Sequence, residues 1–242
     1  MSLREHGFAL VGLDPVPGAV TSAFAEPAFA EPAYANANAN ANANAYGYGV
    51  VRLRMSWTAD DDWLFLPVPS YAVPYDVPYD GADRRLEAGM AALLRRALGG
   101  PWLDVHADWL IELHRVRTVA PAGTTVPVRL PGPPGAGDGG FGLVAVVGRD
   151  GAGSGRVRLF GAGRAAPLLE AAPVPGQGLL FDRRTVARER HELTAGPAGP
   201  VVQDLLVAHV SRPAGPEPAL RRRPMLVRGP AGTLLRTRPA LR

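Results

Sequence analysis

The feature that most constrains this chain is a change of hydrophobic period near residue 109. Before it, Asp83 to Leu98 carries Leu86, Met90, Leu93, Leu94 and Ala97 at three- and four-residue spacing. That spacing predicts one amphipathic helix, with Asp83 near its start and Gly99-Gly100 to stop it. From Trp109 the period drops to two. Trp109 to Val119 predicts a long strand, with Leu113, Arg115 and Arg117 on one face and Leu110, Glu112, His114 and Val116 on the other. Leu143 to Val147, Arg156 to Phe160, Gly178 to Phe181 and Val201 to Val210 predict further strands, separated by turn residues. Thr125 to Gly140 reads as a Pro/Gly-rich loop. A helix followed by many short strands predicts a mainly β fold, a jelly roll or barrel with flanking N-terminal helices.

The organisation before this region is less regular. Gly7 to Gly12 reads as a short buried strand inside a lead-in of residues 1–22. Residues 23–48 hold two AFAEP units and a strict Ala-Asn alternation from Ala35 to Ala45. Alternation is the strand period, but Ala and Asn are poor strand residues, so this segment reads as a low-complexity insertion that loops out. VVRLRMSW (50–57) and Trp63 to Val68 predict two strands, and YAVPYDVPYDG (71–81) is too rich in Pro to be regular. The main domain is therefore expected over residues 49–211.

Charge separates the body from the tail. Residues 212–242 contain eight Arg and one acid, a charge of +7 against +4 for the whole chain, which leaves the body at −3. The tail reads as a solvated, disordered Pro/Arg-rich end rather than a nucleic-acid-binding arm. All 26 basic residues are Arg, in a chain with 29 Gly and 25 Pro, so composition bias weakens a nucleic-acid reading further. No run approaches the roughly 18 apolar residues of a membrane span. The N-terminus has mixed charge and does not read as a signal peptide. Cysteine is absent, which excludes disulfides, thiolate metal sites and a cysteine nucleophile. The expectation is a cytoplasmic protein with a small-molecule ligand; a homodimer or a partner enzyme is left open.

The order of motifs carries more information than any one of them. VVRLRMSW is followed by YDVPYDGADRR and the helix, then by IELHRVRT (111–118) with His114 and Arg117. A Pro-rich loop leads to AGDG (136–139) and the apolar strand LVAVV, and later come PGQGLLFDR (175–183), TVARERH (185–191) and QDLL from Gln203. This series resembles the Fe(II)/2-oxoglutarate dioxygenases, in particular the small branch that hydroxylates free amino acids. The resemblance implies a double-stranded β-helix, Fe(II) and 2-oxoglutarate as cofactors, and an amino acid or small metabolite of specialised metabolism as substrate.

At the positions that such an enzyme uses for iron, this chain departs from the pattern. The resemblance places two iron-binding histidines at Ala136 and Ala187, and the 2-oxoglutarate-binding arginine at Gln203. Alanine cannot ligate a metal, and Gln203 supplies a hydrogen bond but no charge. Asp138 remains as the carboxylate. A rebuilt centre would draw on Asp138, His191 and His209, since His209 lies six residues after Gln203 and shares its strand face. His114 and Arg117 would line the substrate pocket, and Gln203 with Arg183 would hold the cosubstrate. Otherwise His114 and His209 are interior hydrogen-bonded residues, His191 is a surface loop residue, and the chain is a non-catalytic relative that binds a small molecule or partner protein. His106 and Asp108 repeat the H-x-D spacing too early in the chain and read as a chance match. GRDGAGSG (148–155) lacks the Lys-Ser/Thr ending of a phosphate loop and reads as a hairpin.

Overall fold

The computed structural model describes residues 3–23, 50–57, 63–67, 84–98, 103–104, 106–130, 140–212, 226–228 and 234–236. The Ala-Asn insertion, the segment 71–81 and the loop with Ala136 and Asp138 lie outside the described residues. The chain divides into two compact units, Met1–Arg212 and Pro213–Arg242.

The first unit opens with α1 (Leu3–His6), β1 (Phe8–Gly12) and α2 (Gly18–Ala23), followed by β2 (Val50–Trp57), β3 (Trp63–Pro67) and α3 (Arg84–Leu98). Then come β4 (Trp109–Ala120), β5 (Thr125–Val128), β6 (Phe141–Asp150), β7 (Gly153–Phe160), β8 (Leu169–Ala171), β9 (Gln177–Asp182), β10 (Arg188–Ala195) and β11 (Val201–Ser211). One sheet has the order β1-β9-β6-β11-β4-β2-β3 and the other β5-β10-β7-β8, with every pair antiparallel. The chain passes between the two sheets as it advances from β4 to β11. This is the double-stranded β-helix, with β1, β2 and β3 extending the larger sheet and the helices on the N-terminal side of the sequence.

Side-chain alternation divides the apolar residues into two cores. Trp109, Ile111 and Leu113 of β4, Leu143 and Ala145 of β6, and Leu206, Ala208 and Val210 of β11 face outward from the roll. They pack in one core with Met90, Leu93, Leu94, Ala97 and Leu98 of α3 and Val20 of α2. Gly89 lets these two helices approach: a Cβ there would stand 3.2 Å from the Val20 Cγ2. The opposite faces of the same strands supply Val116, Val144, Val146, Leu205 and Val207 to a second core, against Val157 and Leu159 of β7 and Leu193 of β10. This second core is the interior of the roll.

Three regions differ from the sequence expectation. Thr125–Val128, placed in a loop, forms β5 by pairing with β10 over His191↔Val128 to Thr194↔Thr125. Arg188–Ala195 is a strand although its RERHE start has almost no apolar alternation; pairing with β5 and β7 on both sides overrides its weak propensity. His191 is therefore an interior strand residue, 6% exposed, and not a surface loop residue. In the second unit, where no order is expected after Ser211, β12 (Leu226–Arg228) pairs with β13 (Leu234–Arg236). GRDGAGSG forms the β6–β7 hairpin, with Gly151 at φ +92° in the turn. No described helix is long and apolar enough to cross a membrane, which says nothing of a β-barrel.

Candidate functional site

The polar groups inside the roll lie in two layers. One layer is built on β11 and its neighbours. Gln203 faces inward, 4% exposed, and pairs with Thr118 on β4 and Arg149 on β6. The Arg149 guanidinium donates to the Gln203 Oε1 from Nε at 2.9 Å and from Nη2 at 2.6 Å, and Nη2 also donates to the Pro173 carbonyl at 3.0 Å. All these partners are neutral. Burial holds the Arg149 guanidinium below its ordinary pKa.

Arg149 points inward because of a bulge. The register of β6 on β11 shifts between Asp204 and Leu205, so that Val146 opposes Leu205 while Gly148 opposes Asp204. Val147 is the extra residue. Counting by twos from Leu143 would place Arg149 on the outer face; the bulge reverses the alternation and aims it into the roll. Arg149, Gln203 and His191 line a cavity of about 10 Å3 with Val144, Val157 and Leu205, which is room for about one water.

The second layer lies toward the other end of β11. His209 is 3% exposed, and its ring meets that of His114 edge-on at 5.4 Å between centroids. His114 Nε2 stands 3.8 Å from the Glu112 Oε1, both side chains being nearly buried. From the turn after β9, the Arg183 Nη2 reaches the His209 Nδ1 at 2.8 Å and the Glu189 Oε1 at 3.8 Å. The other oxygen of Glu189 bonds the His191 Nε2 at 3.0 Å. Burial alone would push the Glu189 carboxyl up. Its hydrogen bond to His191 and the charges of His191, Arg183 and His209 outweigh that effect and hold it below the usual carboxylate range. Burial lowers the Arg183 guanidinium, which the Glu189 charge partly offsets. The Arg183 Nε is buried without a hydrogen-bond partner among the described residues.

These contacts fix proton positions. A guanidinium only donates, so the His209 Nδ1 must present its lone pair to Arg183, and the proton of neutral His209 sits on Nε2. A carboxylate only accepts, so the His191 Nε2 carries a proton toward Glu189. Metal ligation by imidazole needs a bare lone pair. The His209 Nδ1 lone pair is taken by Arg183, and the Nε2 atoms of His209 and His191 carry protons, so of these two rings only the His191 Nδ1 keeps a lone pair for a ligand. Among the described residues no group of three His, Asp or Glu can hold a metal ion, and Ala187, exposed just before β10, contributes no ligand. The described residues do not fit a bound Fe(II).

Of the residues singled out from sequence, the fold brings His114, His191, His209, Arg183 and Gln203 into the roll. It does not bring Arg117 there. Arg117 lies on the outer face of β4 and makes a two-point ion pair with Asp204, Nε to Oδ1 at 2.7 Å and Nη2 to Oδ2 at 2.8 Å. Asp138 lies outside the described residues. His106 is exposed, and Asp108 accepts a 2.6 Å hydrogen bond from Ser56. Sequence reasoning missed Arg149 and Glu189. Glu189 shares a strand face with His191, two residues on, and a strand reading of residues 188–195 would have found it.

No family model and no curated protein matches the chain. Solved structures do. IDO from Bacillus thuringiensis matches with a TM-score of 0.52 at 12% identity, over 88% of this chain and 96% of that one. A prolyl-4-hydroxylase from Pseudomonas putida matches with a TM-score of 0.38 at 15% identity, over 88% and 96%. An oxidoreductase of the 2OG-Fe(II) oxygenase family from Burkholderia pseudomallei matches with a TM-score of 0.30 at 18% identity, over 87% and 88%. The first of these likenesses agrees with the double-stranded β-helix; the activity has to be argued from the site.

Proposed function

We propose that this chain is a divergent member of the Fe(II)/2-oxoglutarate dioxygenase-like family that takes a small carboxylate-bearing metabolite, an amino acid or keto acid, inside the roll, with a degenerate metal centre. The observation that carries the reading is Arg149. A guanidinium held inside a roll by an amide oxygen and a carbonyl, with no carboxylate partner among the described residues, is a ready partner for a ligand carboxylate. It stands beside Gln203, where the motif order places the cosubstrate arginine, so the missing charge has a replacement on the adjacent strand. The ordered motifs and the complete roll support the family. The occupied lone pair of His209 and the alanines at 136 and 187 support a degenerate centre over a rebuilt one.

Binding requires the Gln203 amide to swing aside, because the cavity has room for only about one water. Arg149 would then fix the carboxylate, and Thr118, whose hydroxyl is buried without a hydrogen-bond partner among the described residues, would add a donor. When bound, Fe(II) and 2-oxoglutarate would supply oxidative hydroxylation, as in the family this chain resembles.

The experiment is calorimetric titration with 2-oxoglutarate, glutarate and free amino acids in the presence of a chelator, on the wild type and Arg149→Met. Binding without metal that weakens at least about tenfold in R149M supports the reading. An anaerobic titration with Fe(II) and 2-oxoglutarate runs beside it, and a visible charge-transfer band would overturn the degenerate centre. Unweakened binding in folded R149M would overturn the role of Arg149.

A further inference from the structure

We propose that the Arg183 guanidinium is the resident cation of the His209–Glu189 layer: it fills the place between these two side chains that a divalent ion would need, and so excludes metal from it. The inference stands whether or not Arg149 takes a carboxylate.

The argument is one of geometry and charge. One nitrogen, Arg183 Nη2, lies within 4 Å of two groups of metal-ligating type on different strands: the His209 Nδ1 of β11 at 2.8 Å and the Glu189 Oε1 of β10 at 3.8 Å. His191 stands behind Glu189, joined to its second oxygen at 3.0 Å. An imidazole lone pair and a carboxylate converging on one point are what a divalent cation selects. Here a planar, always-charged group stands at that point instead. It is not a surface side chain reaching in by chance. It is three-quarters buried, its Nε is enclosed, and its guanidinium lies 5.7 Å from the centre of the Phe181 ring. The turn that carries it is fixed by two backbone hydrogen bonds, Arg183 N–H to the Gly140 carbonyl at 2.8 Å and Asp182 N–H to the Gly7 carbonyl at 2.8 Å. A metal entering this point would have to displace a cation, break its bond to His209 and overcome charge repulsion while it did so.

Removing the guanidinium should therefore uncover a two-donor point, one imidazole and one carboxylate, at which a divalent ion can be held with water completing its shell. Arg183→Met keeps the length and packing of the side chain and removes the charge and donors. In R183M the His209 lone pair and the Glu189 carboxylate face the vacated space together.

The test is calorimetric titration with Zn(II) alone on wild type, R183M, R183K and the double variant R183M/H209A, each checked for a cooperative melt. The expected result is no stoichiometric Zn(II) binding by the wild type or by R183K, which retains a cation. R183M should bind at least about tenfold more tightly than the wild type, and the gain should vanish in R183M/H209A. Folded R183M that binds Zn(II) no better than the wild type would overturn the inference. If R183M does not fold, the imidazole 15N resonances of the wild type decide. They must place the His209 proton on Nε2 and stay unmoved by Zn(II); a His209 signal that shifts on adding Zn(II) overturns the proposal. Neither outcome depends on carboxylate binding at Arg149, so failure of one reading leaves the other intact.

Discussion

Gly155 of β7 faces the Arg149–Gln203 pair so closely that a Cβ at residue 155 would lie 2.6 Å from the Gln203 Oε1 and 2.9 Å from the Arg149 Nη2. The smaller sheet thus leaves out a side chain to make room for the polar pair of the larger one. Gly155→Ala should lower stability by about 1–3 kcal/mol through overpacking. It should also push Gln203 and Arg149 apart. Chemical denaturation measures the first effect, and a weaker carboxylate titration the second. A neutral G155A would show that the pair is free to move away.

The Arg117–Asp204 pair lies on the outer face of the larger sheet, with both side chains less than one-fifth exposed. The hydrogen bond to Asp204 raises the Arg117 guanidinium above its ordinary pKa despite the opposing effect of burial. A double-mutant cycle with Arg117→Met and Asp204→Asn should give a coupling of about 1–3 kcal/mol. Ligand affinity should be unchanged, because the sheet separates this pair from the roll interior. A loss of carboxylate binding in R117M would place Arg117 in the pocket after all.

Acid should destabilise the fold, and Glu189 should account for part of that. Its pKa is depressed in the folded state, so between the folded and unfolded values the unfolded chain binds more protons. Its contribution is complete above the ordinary glutamate pKa of about 4.3 and is lost as pH falls through the folded value. Asp182 behaves alike: burial would raise it, but hydrogen bonds and the charge from Arg184 bring it down. Stability followed from pH 7 to pH 3 should fall less steeply in Glu189→Gln than in the wild type. Parallel curves would remove Glu189 from the account.

The helix-side core offers a control. Leu93 of α3 is fully buried against the outer face of the larger sheet. Leu93→Ala should cost about 2–5 kcal/mol by leaving a cavity. The polar layers inside the roll should keep their ligand affinity and pH behaviour in any folded fraction. A large change in carboxylate affinity at full occupancy of the folded state would mean that the two cores are coupled.

The sequence by itself determined the class of fold, because period is a local property. The three- and four-residue spacing of Met90, Leu93, Leu94 and Ala97 specifies α3, and the alternation of IELHRVRT specifies β4 and turns His114 inward with Glu112. The same alternation places Gln203 and His209 on one face of β11. Where charged residues interrupt the pattern, as in RERHE, strand formation was decided by two neighbouring strands that no local window contains. Only the tertiary structure turned Arg149 inward, because a single extra residue at Val147 reverses every side chain after it. The meeting of Arg183 and His209 was also beyond the sequence. They sit 26 residues apart, on a turn and on a strand in the middle of the sheet, and it is the pairing of β6 with both β9 and β11 that sets a guanidinium against an imidazole lone pair.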